Sequence, residues 1–151
     1  MRVVVQRVSQ ASVSINGKVK SKIGTGLLIF VGIMNDDGRE DIDWLSRKIP
    51  QIRIFPDNDG LMNQSVVDVN GEILLISQFT LYGNLNKGSR PSFNRSASPD
   101  IAVPLYEAFI HSLSDNCGKS VATGEFGAMM KIDALNDGPV TLIIDSREKK
   151  F

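Results

Sequence analysis

Two short segments carry the residue types that chemistry needs. The first is Ser77-Gln78-Phe79-Thr80, which follows directly on the apolar run Ile73-Leu74-Leu75-Ile76. Two hydroxyls and an amide at the end of a buried strand cost free energy unless they are paired or used. The second is Asn136-Asp137-Gly138-Pro139-Val140-Thr141. A glycine ahead of a proline permits unusual backbone, and the X-Pro bond is the one that tolerates cis geometry. A cis Gly138-Pro139 turn would aim its carbonyls where a trans turn cannot. Each segment also has a bland structural reading: a strand leaving the core through polar residues, and an ordinary turn between two strands.

Other tools are scarce. The one histidine, His111, falls mid-helix, and the only further ligand type at i+3 or i+4 is Asp115. Zinc takes three or four ligands, and no elbow motif supports a Ser-His-Asp or Cys-His arrangement. Neither a phosphate-cradling glycine loop nor a dinucleotide fingerprint is present. The one cysteine, Cys117, cannot form an internal disulfide and reads as a packing residue rather than a nucleophile. An enzyme built on this sequence works without metal, without cofactor and without histidine. Oriented backbone N–H groups and hydroxyls are the tools that remain.

The elements that must position these groups follow from hydrophobic period and turn residues. Strands are expected at Val3–Val8 and Ala11–Ile15, then the hairpin turn Asn16-Gly17 and a returning strand Lys18–Ile23. Gly26–Met34 reads as a strand buried on both faces. Asp36-Asp37-Gly38 opens a helix whose buried stripe is Ile42, Leu45 and Ile49, stopped by Pro50. Ile52–Phe55 reads as a short strand before the turn Pro56–Gly60. Val66–Val69, Asn70-Gly71 and Glu72–Leu81 read as a second hairpin. Residues 82–98 are irregular. Ser98 caps a second helix with Pro99 in its first position, Pro104 inside it and Gly118 at its end. Its expected stripe is Ile101, Leu105, Ala108, Phe109 and Leu113. Ser120–Thr123, Met129–Leu135 and Val140–Ile144 complete the strands. Hairpins dominate and no βαβ rhythm is evident, so the fold class is α+β: a largely antiparallel, barrel-like sheet with two helices. Residues 1–145 read as one domain and 146–151 as a charged tail that frays.

Bulk composition sets outer bounds. At 151 residues, 42% hydrophobic and 23% charged, the chain has the make-up of a soluble globular domain. No apolar run is long enough to span a bilayer, and Met1 to Arg7 lack an apolar signal core. These features and the lone cysteine point to the cytoplasm. The net charge of zero hides an uneven spread. Residues 1–34 hold Arg2, Arg7, Lys18, Lys20 and Lys22 without an acid, and residues 84–97 hold Lys87, Arg90 and Arg95 without one. Such stretches suit phosphate, although solvated loop charge looks the same in sequence.

Taken together, the motifs resemble the D-aminoacyl-tRNA deacylase family of the DTD type. Ser-Gln-Phe-Thr stands at 77–80 followed by Leu81, and Asn-x-Gly-Pro-x-Thr at 136–141. Gln6-Arg7-Val8, Ala11-Ser12-Val13, Arg90-Pro91-Ser92-Phe93, Ala97-Ser98-Pro99-Asp100, Thr123-Gly124, Phe126 and Met130 extend the match over residues 1–144. Tyr82 to Asn86 and the basic tail Arg147, Lys149 and Lys150 depart from the family pattern. The resemblance implies a DTD-like fold and a homodimer that hydrolyses the ester of D-aminoacyl-tRNA and removes glycine mischarged on tRNA for alanine. It implies that Ser77, Gln78, Phe79 and Thr80 line the ester. It also implies that Gly138 and Pro139 enter the partner subunit's pocket as a chiral filter, flanked by Asn136 and Thr141. Arg7 would hold that loop, Phe126 and Met130 would line the pocket, and Lys87, Arg90 and Arg95 would meet RNA. The alternatives are a non-catalytic RNA-binding module of the same fold and a hydrolase of small acyl esters.

Overall fold

The structure, a computed structural model, describes residues 1–149. Its long first strand β1 (Arg2–Ile15) turns through Asn16 and Gly17 into β2 (Lys18–Ile23) and continues to β3 (Gly26–Gly32). The expected hairpin forms, with φ of 52° at Asn16 and 76° at Gly17, the left-handed pair that a two-residue turn requires. Helix α1 (Arg39–Lys48) and a short 3₁₀ turn (Ile49–Gln51) lead to the small pair β4 (Phe55–Pro56) and β5 (Met62–Gln64). Strand β6 (Glu72–Ser77), a 3₁₀ turn (Phe79–Tyr82), helix α2 (Pro99–Cys117), β7 (Ala122–Thr123) and β8 (Lys131–Asp145) complete the chain.

The main sheet runs β2-β1-β3-β6-β7, with β8 along the other side of β1. β1 is antiparallel to β2, β3 and β8. β6 is parallel to β3, and β7 is parallel to β6. The sheet is therefore mixed, curling toward a barrel as Ser21 of β2 donates to the Thr123 carbonyl of β7 at 2.7 Å. The α+β class with two helices holds, but two parallel crossovers replace the expected second hairpin. Ile73, Leu74, Leu75 and Ile76 are all buried, as befits a strand covered on both faces. Val66–Val69 is not a strand: the Asp68 carboxylate accepts from both the N–H and the hydroxyl of Ser65 at 2.8 and 2.7 Å, closing a local turn in place of a ladder.

Two cores lie on the two faces of the sheet. Ile73 and Leu75 face the helices with Ile42, Leu45, Ile49, Phe109 and Leu113. Leu74 and Ile76 face the inside of the curl with Val8, Val13 and Leu28. Helix α2 keeps its caps, with Ser98 at the N-cap, Pro99 after it and Gly118 left-handed at φ 66°; Pro104 does not break it. Its buried face is Ala102, Tyr106, Phe109 and Leu113, one position round from the expected stripe, and Ile101 is exposed. Tyr106 can sit in this core because its hydroxyl donates to the Leu75 carbonyl at 3.0 Å.

Met1 meets the segment that follows β8. The Met1 ammonium donates to Asp37 and to Ser146 Oγ, and Ser146 donates to Asp41. Arg147 pairs with Asp36 and Asp37, so residues 146 and 147 are fastened rather than frayed. Of the basic tail, Lys150 lies outside the described residues. Among those residues no helix is long and apolar enough to cross a membrane.

Candidate active site

The polar strand end acquires its shape from backbone geometry. Ser77 is the last residue of β6 and pairs with Val31. The Gln78 N–H still donates to the Val31 carbonyl at 2.7 Å, and then the chain bends into the 3₁₀ turn. That turn presses on Gly32 of β3. A Cβ at Gly32 would stand 3.1 Å from the Gln78 oxygen and 3.2 Å from the Tyr82 ring. The Leu81 N–H donates back to Gln78 and the Gly83 N–H to Thr80. Phe79 and Thr80 occupy the first positions of the turn, where N–H groups lack internal acceptors. Among the described residues neither N–H donates to any protein group. The Gln78 amide makes a short bond to Thr80 Oγ1, and Ser96 Oγ donates to the Phe79 carbonyl at 2.8 Å.

A cleft of about 310 Å³ opens beside this turn, where both cores reach the surface. Ser77, Gln78 and Phe79 form one wall, and Phe126, Met130 and Ile132 another. Phe126 leans on Tyr106 with ring centroids 5.8 Å apart. Phe79 is 55% exposed and meets Phe93 edge-on at 5.0 Å. Polar groups on one side and apolar ones on the other suit a small molecule with a polar reacting centre and an apolar body.

The second motif lies elsewhere. β8 runs as one strand through it, and the Gly138–Pro139 bond is cis. On β1, Gln6 pairs with Thr141 and Val8 with Asn136. Residues 137–140 therefore loop out opposite Arg7 alone. Arg7 is 9% exposed. Its Nε donates to the Asp137 carbonyl at 2.9 Å and its Nη1 to the Ile54 carbonyl at 2.5 Å. Gly138 has φ 127°, and a Cβ there would meet Val140 and Arg7. Asn136, Gly138, Pro139 and Thr141 are all exposed. Ser77 pairs with Val31 and Val31 with Val3, four residues from Arg7 along β1 and three strands from β8. At roughly 3.3 Å per residue and 4.8 Å per strand, the diagonal across the sheet is on the order of 20 Å.

The remaining sequence candidates scatter. Lys87, Arg90 and Arg95 are exposed on the loop after the 3₁₀ turn. His111 is exposed on α2. Burial pushes the Cys117 thiol up to about 11, which keeps it from nucleophilic work at neutral pH. Sequence reasoning passed over Ala97, Ala102, Gly127 and Met129, which also line the cleft. Small residues and a lone methionine carry no signal of their own; only the turn of α2 and the bend after β7 place them.

Comparison with known proteins agrees in extent. Residues 4–145 match the family model described as D-Tyr-tRNA(Tyr) deacylase. A D-aminoacyl-tRNA deacylase of Bacteroides thetaiotaomicron is 57% identical over 99% of this chain and 100% of its own length. One from Parabacteroides distasonis is 55% identical over the same shares. Among solved structures, the c-Myc DNA Unwinding Element Binding Protein superposes with TM-score 0.89 at 36% identity, covering 96% of this chain and 98% of its own. A probable eukaryotic D-amino acid tRNA deacylase shares the fold, with TM-score 0.81 at 19% identity over 95% of this chain and 97% of its own. With most of its length inside the family pattern and its strand-end turn beside an open cleft, the chain belongs to the D-Tyr-tRNA(Tyr) deacylase family.

Proposed function

We propose that the protein hydrolyses the ester joining a D-amino acid to the terminal ribose of tRNA, and removes glycine mischarged on tRNA for alanine. The observation that carries this reading is the pair of N–H groups on Phe79 and Thr80, without protein acceptors, beside a cleft that is polar on one side and apolar on the other. Attack on an ester carbonyl places negative charge on its oxygen, and fixed backbone donors stabilise that charge without reorganisation. Water is the attacking group, with the ribose hydroxyl next to the ester positioned to relay its proton. The ribose oxygen leaves with a proton, giving free amino acid and tRNA. Thr80 Oγ1, tied to the Gln78 amide, orients the ester. Phe126 and Met130 hold the apolar part of the acyl-adenosine.

Selection against L-amino acids falls to the Gly138-Pro139 loop of a second subunit, whose carbonyls read the amino group and leave no room for an L side chain. Within one chain that loop is on the order of 20 Å across the sheet from Ser77, which supports action across a homodimer. Leu135 and Ile143 on the same strand are 56% and 61% exposed, apolar area that a second copy would cover. Lys87, Arg90 and Arg95 meet the RNA backbone, and the setting is the cytoplasm. The deciding test supplies D-Tyr-tRNA and L-Tyr-tRNA at equal concentration. Fast release from the D form alone is the expected result; equal hydrolysis of both, or of neither, removes the reading.

A further inference from the structure

The 3₁₀ turn that bears Phe79 and Thr80 is held from its far end by a residue outside the cleft. Arg2 stands opposite Asp145 in the β1–β8 ladder, and its Nε and Nη2 both reach Asp145 Oδ2 at 3.0 Å. Its Nη1 donates to the Leu81 carbonyl at 3.1 Å. Its guanidinium carbon lies 5.0 Å from the centre of the Tyr82 ring. Leu81 and Tyr82 are the last two residues of the turn. Tyr82 is 2% exposed. Burial and the nearby Asp37 and Asp145 carboxylates push its pKa up, so the ring stays neutral and its face attracts cations. Arg95, from the loop that follows, approaches the same ring at 6.0 Å.

We propose that Arg2 is a positioning residue for hydrolysis: by gripping the Leu81 carbonyl and the Tyr82 ring while anchored on Asp145, it fixes where the Phe79 and Thr80 N–H groups stand. The turn is a single short one. It packs on Gly32 of β3 so closely that a Cβ there would stand 3.0 Å from Leu81 Cβ. Ser96 holds its first residue through the Phe79 carbonyl, and Arg2 holds its last two through the Leu81 carbonyl and the Tyr82 ring. A planar guanidinium can serve one carboxylate, one carbonyl and one ring at once, whereas an ammonium at the same place cannot. The inference rests on the deacylase reading above.

The test compares wild type with Arg2→Lys and Arg2→Ala on D-Tyr-tRNA. Arg2→Lys keeps a cation against Asp145 and keeps the fold, yet loses the grip on the turn. Its kcat is expected to fall about 10-fold to 10²-fold, the scale of a small misplacement of reacting groups, with KM unchanged within twofold. Arg2→Ala should fall at least as far and regain turnover when guanidinium ion is added below unfolding concentrations. If Arg2→Lys retains wild-type kcat, or if activity merely follows the folded fraction in thermal melts, the positioning role is wrong. An inactive wild type would instead strike down the deacylase reading itself.

Discussion

Arg7 fastens Asp137: its Nε donates to the Asp137 carbonyl at 2.9 Å, across the gap where residues 137–140 leave the β1–β8 ladder. The same guanidinium reaches the Ile54 carbonyl on the other side. One nearly buried side chain thus ties the Gly138-Pro139 loop to the body of the fold. Arg7→Ala strands two carbonyls and removes charge-assisted bonds, an effect of about 2–3 kcal/mol. Urea unfolding should register that loss. Because the loop also loosens, the ratio of D- to L-Tyr-tRNA hydrolysis should drop. Arg7→Lys should recover stability only in part, since one ammonium cannot replace the fork.

Thr80→Ala should retain measurable turnover. The backbone donors remain when the hydroxyl goes, and they carry the developing charge. Single-turnover rates on D-Tyr-tRNA measure this. A folded, substrate-binding variant with no turnover at all would make Thr80 itself the nucleophile.

The Met1 ammonium and the Asp37 carboxylate are both fully buried and lie 2.5 Å apart. Asp37→Ala leaves a buried cation with Ser146 as its remaining partner, an arrangement that costs about 3–5 kcal/mol. Chemical denaturation should show a large shift in midpoint with little change in slope.

Acid should weaken the fold through a defined set of carboxylates. Burial raises the pKa of Asp41, but hydrogen bonds from Ser146 and the Gly38 N–H outweigh it and leave the group below 3.8. Asp57 is lowered chiefly by the Asn63 amide and Asp68 by the Ser65 N–H. A folded pKa below the unfolded one means that the folded state binds fewer protons. That stability is complete above the unfolded value and is lost as pH falls through the folded values. The urea midpoint should hold steady from about pH 7 to 5 and decline below about pH 4. Asp57→Asn should flatten the decline. A midpoint that rises in acid contradicts this assignment.

Cys117 is half-buried with its pKa raised to about 11. At pH 7.5 its alkylation by iodoacetamide should run about 10²-fold slower than that of a free cysteine, because only the thiolate reacts. Cys117→Ser should leave turnover intact.

Much of this architecture was legible in the residues. The Asn16-Gly17 turn, both helix ends and the polar ending of β6 carry local chemistry that leaves few choices. Long-range pairing was less visible. The apolar run Ile73–Ile76 reads alike as a hairpin partner or as a parallel strand, and only burial on both faces settles it. Asn70-Gly71 looked like a hairpin turn, yet the local bonds of Asp68 to Ser65 decide the geometry of 65–70. The split of β1 and β8 into shorter strands failed for a related reason: Arg7 spans the bulge and lets both strands continue past it. Within the site, the motif residues were legible. Arg2 and Tyr82 were not, because each looks like a surface cation or a core aromatic until the turn is folded against them.

The pairing of Arg2 with Asp145 joins residues 143 positions apart in the chain. During synthesis β1 can zip to β2 and β3 early, but its other edge has to wait until β8 has left the ribosome. The sheet is therefore completed only once β8 has emerged, through contacts of very high sequence separation that close slowly. The waiting edge of β1 is fourteen residues long, and it is this stretch of nascent chain that a ribosome-associated chaperone would have reason to shield.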